Sequence, residues 1–247
     1  MFNFGFDRKA IIIVIAIMLI AWISSLGTGG LLSILLTIPG VIIAMTFHEY
    51  AHALAAYKLG DDTPKIQGRL NLNPISHIDP IGLVLLLVAG FGWGKPVQID
   101  SRNFDGKYSI SKAEAIVAAA GPITNFILAF IFAIIYYILF VATDVLSGLS
   151  SNILSILYTV IIQIISINIG LGVFNLIPLP PLDGSKVLMH FLGYNAKQWF
   201  YRNERIFYIA FVLLWVTGLL SSLLSPIFSG VFSGITWLAF KIVSIFM

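Results

Sequence analysis

Apolar residues come in long unbroken runs, separated by short polar or glycine-containing breaks. A helix needs about 20 mostly apolar residues to cross a hydrocarbon core about 30 Å thick. Six stretches satisfy that length: about 10–27, 32–58, 114–142, 151–177, 205–224 and 227–246. The eleven-residue run Ile81–Phe91 is too short to cross and reads as a re-entrant or interfacial segment. The one long polar stretch, about 60–113, has a different texture. Ile66–Leu72 and Pro96–Ile99 alternate in the manner of short strands. Gly90, Gly92 and Gly94 flank Phe91 and Trp93, a pattern that fits a flexible flap or a loop lying along the membrane surface. The predicted class is an all-α polytopic membrane protein. It has about six transmembrane helices and a re-entrant, partly β-strand segment on the cytoplasmic side.

Composition strengthens this picture. Of 247 residues, 59% are hydrophobic and 10% charged, against about 25% charged in soluble domains. The mean hydropathy is +0.98. Apolar runs leave no room for a separate soluble domain, so residues 1–247 read as one membrane-embedded unit. There is no cysteine, which excludes disulfides, thiolate metal sites and a cysteine nucleophile. No basic arm or acidic tail suggests a nucleic-acid partner.

The placement of charge orients the spans. With a cytoplasmic N-terminus, the outside loops are about 28–31, 143–150 and 225–226, and none of the 14 lysines and arginines falls in them. The positive-inside rule then puts both termini and segment 60–113 in the cytoplasm. Arg8, Lys9 and the run Ala10–Ile23 also suit a signal peptide, but the run continues past the usual length, and a retained first helix is preferred.

The chemistry sits where charge is rarest. Between Lys9 and Lys58 the one formally charged residue is Glu49, inside a predicted span. A carboxylate at mid-bilayer costs about 2.5–3.5 kcal/mol, so such a group is a functional candidate by default. It belongs to His48-Glu49-Tyr50-Ala51-His52, an H-E-x-x-H motif. On a helix, residues i and i+4 share a face, so both imidazoles can grip one metal ion, with Glu49 beside its open position as general base. A catalytic zinc wants a third protein ligand. From Ala115 to Leu182 the one charged residue is Asp144, in a predicted outside loop; the next is Asp183. Pro178, Pro180 and Pro181 break the helix just before it. Asp183 reads as the third ligand or, more plainly, as a helix N-cap.

H-E-x-x-H on an early span, followed by Asn175-x-x-Pro178-x-Pro180-x-Leu182-Asp183-Gly184 on a later one, resembles the site-2 protease family of intramembrane zinc metalloproteases. Gly121-Pro122-x-x-Asn125 resembles a turn motif of that family. Gly94-Lys95-Pro96-Val97 and Asn73-Pro74 with His77-Ile78-Asp79-Pro80 resemble segments of its small bacterial and archaeal branch, which lacks PDZ and CBS domains. The likeness covers about residues 32–193, the catalytic core, with 10–27, 205–224 and 227–246 as accessory spans. It implies one Zn2+ per chain on His48, His52 and Asp183, and Glu49 as general base. Asn175 would hold substrate or the oxyanion, and Asn125 would contact substrate or join helices. It also implies a bacterial or archaeal cell membrane. The expected partners are the bilayer and transmembrane segments of other proteins, cut in regulated proteolysis or signal-peptide clearance. Unwound substrate would add as a strand to 66–99.

Asn168 and Gln163 read as interhelical hydrogen-bonding groups. His77 is a weaker third-ligand candidate, in a turn between Pro74 and Pro80, and His190 reads as structural. The rival reading is a non-proteolytic zinc-binding membrane protein, a transporter or sensor. Transport needs ligands along a path, and the sequence offers one cluster.

Overall fold

The computed structural model describes residues 8–89, 94–143, 148 and 150–246. Ten α-helices follow one another among the described residues. They are α1 (Arg8–Lys58), α2 (Thr63–Ile66), α3 (Pro74–His77), α4 (Pro80–Ala89), α5 (Ile110–Val141), α6 (Ser151–Asn175), α7 (Asp183–Phe191), α8 (Tyr194–Arg202), α9 (Glu204–Val216) and α10 (Leu219–Val243). Among the described residues, four stretches are long and apolar enough to cross a membrane: Gly29–Lys58, Ile110–Val141, Ser151–Asn175 and Leu219–Phe246.

The core is a bundle of α1, α5 and α6, with α10 packed on α5 and α6. Small residues permit the close approach, as is usual where lipid removes the hydrophobic drive between helices. Ala129 and Ala133 of α5 and Ala239 of α10 are fully buried against Ile161, Ile165 and Ile169 of α6. At Gly40 of α1, a Cβ would lie 3.2 Å from the Ile164 Cα of α6. At the C-terminal end of α1, Ala56 and Leu59 close on Ala113 and Val117 of α5.

Several expectations are corrected. The expected first span, about 10–27, is the N-terminal part of α1, and its side chains lie outside the described residues. It joins the next span with no loop beyond the non-helical Gly27 (φ 60°). The last two expected spans do not divide at 225–226. The break falls at Thr217–Gly218, where Gly218 takes φ 73°, and Pro226 lies inside α10. A left-handed residue reverses the chain, whereas proline removes one helical hydrogen bond and leaves the helix continuous. The 13 residues of α9 span about 20 Å, less than a hydrocarbon core.

The expected strands are also absent among the described residues. The one pairing is an isolated antiparallel bridge between Ile78 and Gly94. Ile66 ends α2, and Gly68 (φ 67°) turns the chain. Side chains hold this region instead of a ladder. The Arg69 guanidinium donates to the carbonyls of Ser76 and Lys95. The fully buried Asp61 carboxylate accepts from the Thr63 hydroxyl and from the N–H groups of Thr63 and Asp100. The proposed flap glycines Gly90 and Gly92, with Phe91 and Trp93, lie outside the described residues. The expected Gly121-Pro122 turn is a continuous stretch of α5.

Candidate metal centre

His48 and His52 stand one turn apart on α1, with ring centroids 4.6 Å apart and planes at 86°. Both are buried, at 5% and 7% exposure. Each ring turns its Nδ1 to a buried acceptor. His52 Nδ1 lies 2.7 Å from the Val117 carbonyl of α5. A carbonyl only accepts, so this nitrogen carries the proton and Nε2 is left with a bare lone pair. His48 Nδ1 lies 2.6 Å from Asn125 Oδ1, also on α5, with the same result.

The third group comes from the α6–α7 connection. Asn175 ends α6, the prolines at 178, 180 and 181 forbid its continuation, and the Pro180–Pro181 peptide is cis. Helix α7 restarts at Asp183. Gly184 lets that start pack on the end of α6: a Cβ there would strike the backbone of Leu176 and Ile177. Asp183 is not the N-cap, a position held by Leu182. Its Oδ2 instead lies 3.1 Å from His48 Nε2 and 3.2 Å from His52 Nε2. The two Nε2 atoms are 3.0 Å apart.

Two bare imidazole nitrogens and a carboxylate oxygen facing one another at 3.0–3.2 Å repel unless a cation lies among them. A tetrahedral zinc with bonds of about 2.0–2.1 Å separates its ligand atoms by about 3.3–3.4 Å. The donor types and their spacing therefore fit zinc, with a fourth position left for water or substrate. Among the described residues, His48, His52 and Asp183 form the one group of three potential ligands so disposed.

The cluster opens on a cavity of about 1530 Å³ lined by Glu49, Gly94, Val97, Asn175 and Asp183, and farther out by Glu114, Lys186, Lys197 and Glu204. Glu49 Oε2 accepts a hydrogen bond from the Val97 N–H at 3.1 Å. Asn175, in the cavity lining, donates one amide hydrogen to the Leu171 carbonyl at 3.0 Å.

The remaining candidates fall elsewhere. Asn125 is fully buried, is not among the residues lining the cavity, and sits behind His48 with Oδ1 on its Nδ1. His77 is fully buried with Nε2 2.7 Å from the Asn71 carbonyl, outside the cluster. His190 packs edge-on against Phe191. Asn168 joins α6 to α5 as expected, through Asn125. Sequence reasoning missed the roles of three groups. Val117 and Val97 act through backbone atoms, which leave no residue-type signal. Gly121 lies against both imidazoles: a Cβ there would stand 2.5 Å from His52 Nε2 and 2.7 Å from His48 Cε1. A glycine in mid-helix beside a proline was the available sign.

The model of peptidase family M50 matches residues 33–217. The chain belongs to peptidase family M50. This M50 chain is 40% identical over 179 residues to a Bacillus subtilis protein named "Putative zinc metalloprotease YwhC", covering 72% of this chain and 79% of the relative. It is 29% identical over 189 residues to MJ0611 of Methanocaldococcus jannaschii, named in the same form, covering 75% of this chain and 86% of that one. It is 27% identical over 178 residues to Rip2 of Mycolicibacterium smegmatis, also so named, covering 67% and 63%. No solved structure matches.

Proposed function

We propose that this M50 chain is a zinc-dependent endopeptidase that cuts peptide bonds within or near transmembrane segments of other membrane proteins. The observation that carries it is the convergence of His48 Nε2, His52 Nε2 and Asp183 Oδ2 at 3.0–3.2 Å, with both histidines and Glu49 on a helix apolar enough to cross a bilayer. His48, His52 and Asp183 hold the ion. Bound there, zinc supplies a Lewis acid that makes water acidic near neutral pH and polarises a carbonyl.

Glu49 takes the proton of the attacking water and returns it to the leaving amine. The Val97 N–H fixes Oε2 and so holds the carboxylate toward the cavity. Asn175 donates its free N–H to the developing oxyanion. A helical substrate hides its carbonyls, so it unwinds before it is cut. Beyond the Ile78–Gly94 bridge, residues 96–100 join no ladder among the described residues, and we read this stretch as the edge that pairs with unwound substrate. Helix α4, ten residues long, reaches back toward α1: Leu86 and Leu87 share a cleft with Ile34, Thr37 and Val41. We read it as the re-entrant element. The absence of Lys and Arg from the expected outside loops supports a site opening to the cytoplasm of a bacterial or archaeal cell.

The test is cleavage of a synthetic transmembrane peptide by purified protein in detergent, beside zinc analysis of the same sample. Bound zinc with cleavage abolished by a chelator and restored by zinc supports the proposal. Cleavage that persists with the metal fully removed sinks it.

A further inference from the structure

We infer that Asn168 is a positioning residue which, through Asn125, sets His48 in the tautomer that presents Nε2 to the metal. This rests on the metal assignment made above. The network supplies direction at every step. Asn168 Nδ2 donates to the Ile164 carbonyl at 2.8 Å, so its Oδ1 must face the other way. That oxygen accepts from Asn125 Nδ2 at 2.9 Å, and the second Asn125 hydrogen goes to the Ala44 carbonyl at 3.0 Å. Both hydrogens being spent, Asn125 turns Oδ1 to His48 Nδ1 at 2.6 Å. An amide oxygen only accepts, so the imidazole proton stays on Nδ1.

A flipped Asn125 would aim its oxygen at two other acceptors, Ala44 O and Asn168 Oδ1, in a site with no exposure of Asn125 or Asn168. It would also offer N–H to Nδ1, moving the ring proton to Nε2 and closing the ligand face. One of the two acceptors that forbid the flip belongs to the backbone. The other is the Asn168 side chain, so Asn168 is the side chain that holds Asn125 in the orientation that fixes the tautomer. His52 is an internal control, because the Val117 carbonyl holds its Nδ1 without help from any side chain. Partners of this kind change metal affinity by about 10–100-fold when removed.

The experiment records the ring-nitrogen signals of 15N-histidine-labelled full-length protein, metal-free and in lipid, together with zinc affinity by chelator competition. There are four histidines, and substituting each in turn assigns its signals, so that His48 and His52 are told apart. Wild type is expected to show Nδ1–H at both His48 and His52. Asn168→Leu is expected to mix tautomers at His48 alone and weaken zinc about tenfold. An unchanged His48 signal in Asn168→Leu, or an equal disturbance of His52, overturns the inference. Wild type that takes up no zinc defeats the metal assignment instead; the nitrogen signals, recorded without metal, decide the role of Asn168 separately.

Discussion

Gly121→Ala adds a single methyl group where the two imidazoles touch α5. Its Cβ would lie 2.5 Å from His52 Nε2 and 2.7 Å from His52 Cε1, where ordinary contact begins at 3.4 Å. The ring, or the helix carrying it, must retreat by about 0.9 Å, the difference of those distances. Zinc sites tolerate ligand displacements of only about 0.2 Å. Overpacking of this kind costs about 1–3 kcal/mol, and each 1.4 kcal/mol is about tenfold in affinity. Zinc should therefore bind about 5–150-fold more weakly. Without metal the rings can move, but only by straining their buried Nδ1 hydrogen bonds to Val117 and Asn125 at about 1–3 kcal/mol, which the better helix propensity of alanine, about 0.8–1.0 kcal/mol, offsets in part. The metal-free variant should melt a little lower than wild type, and the stabilisation conferred by zinc should shrink further. Chelator competition and thermal melting with and without zinc read both quantities. Zinc affinity within threefold of wild type would refute the packing argument.

Glu49→Gln should abolish cleavage with zinc content unchanged, read by peptide cleavage and elemental analysis on one sample; cleavage at a wild-type rate would remove Glu49 as the base. Asp183→Ala should lower zinc affinity at least tenfold, the size of effect that supporting groups alone already produce. Val97→Pro deletes the N–H that holds Glu49 and should slow cleavage without loss of zinc; a matching fall in zinc content would show a wider disturbance. Burial raises the Asp61 pKa, but hydrogen bonds from Thr63, Asn103 and Asp100 outweigh it and leave the carboxyl below its ordinary value. Its contribution to stability is therefore full above the unfolded-state value near 4 and is lost as pH falls through the lower folded value. Asp61→Asn should flatten acid unfolding in that range, and an unchanged acid profile would contradict the assignment.

The sequence is most legible where residue type and chemistry coincide. An apolar stretch interrupted by His48, Glu49 and His52 has few structural explanations, and three prolines ahead of Asp183 mark a break wherever the chain goes. Helices α5 and α6 follow because uninterrupted apolar length specifies a span. The last helices were misplaced because Pro226 and Gly218 are both breakers in a string of letters, while only glycine adopts the left-handed turn freely. Ile66–Leu72 and Pro96–Ile99 alternate like strands, but Gly68 turns the chain and Arg69 ties it by a side chain to carbonyls. Asn125 could not be assigned from sequence because its role depends on which neighbour its oxygen meets. The Val117 and Val97 contacts belong to the backbone, which every residue shares.

The most direct test is anomalous X-ray scattering at the zinc edge from crystals of the full chain grown with zinc. One peak within about 2.0–2.2 Å of His48 Nε2, His52 Nε2 and an Asp183 carboxylate oxygen is the predicted result. A peak coordinated elsewhere, or no peak at saturating zinc, contradicts the account.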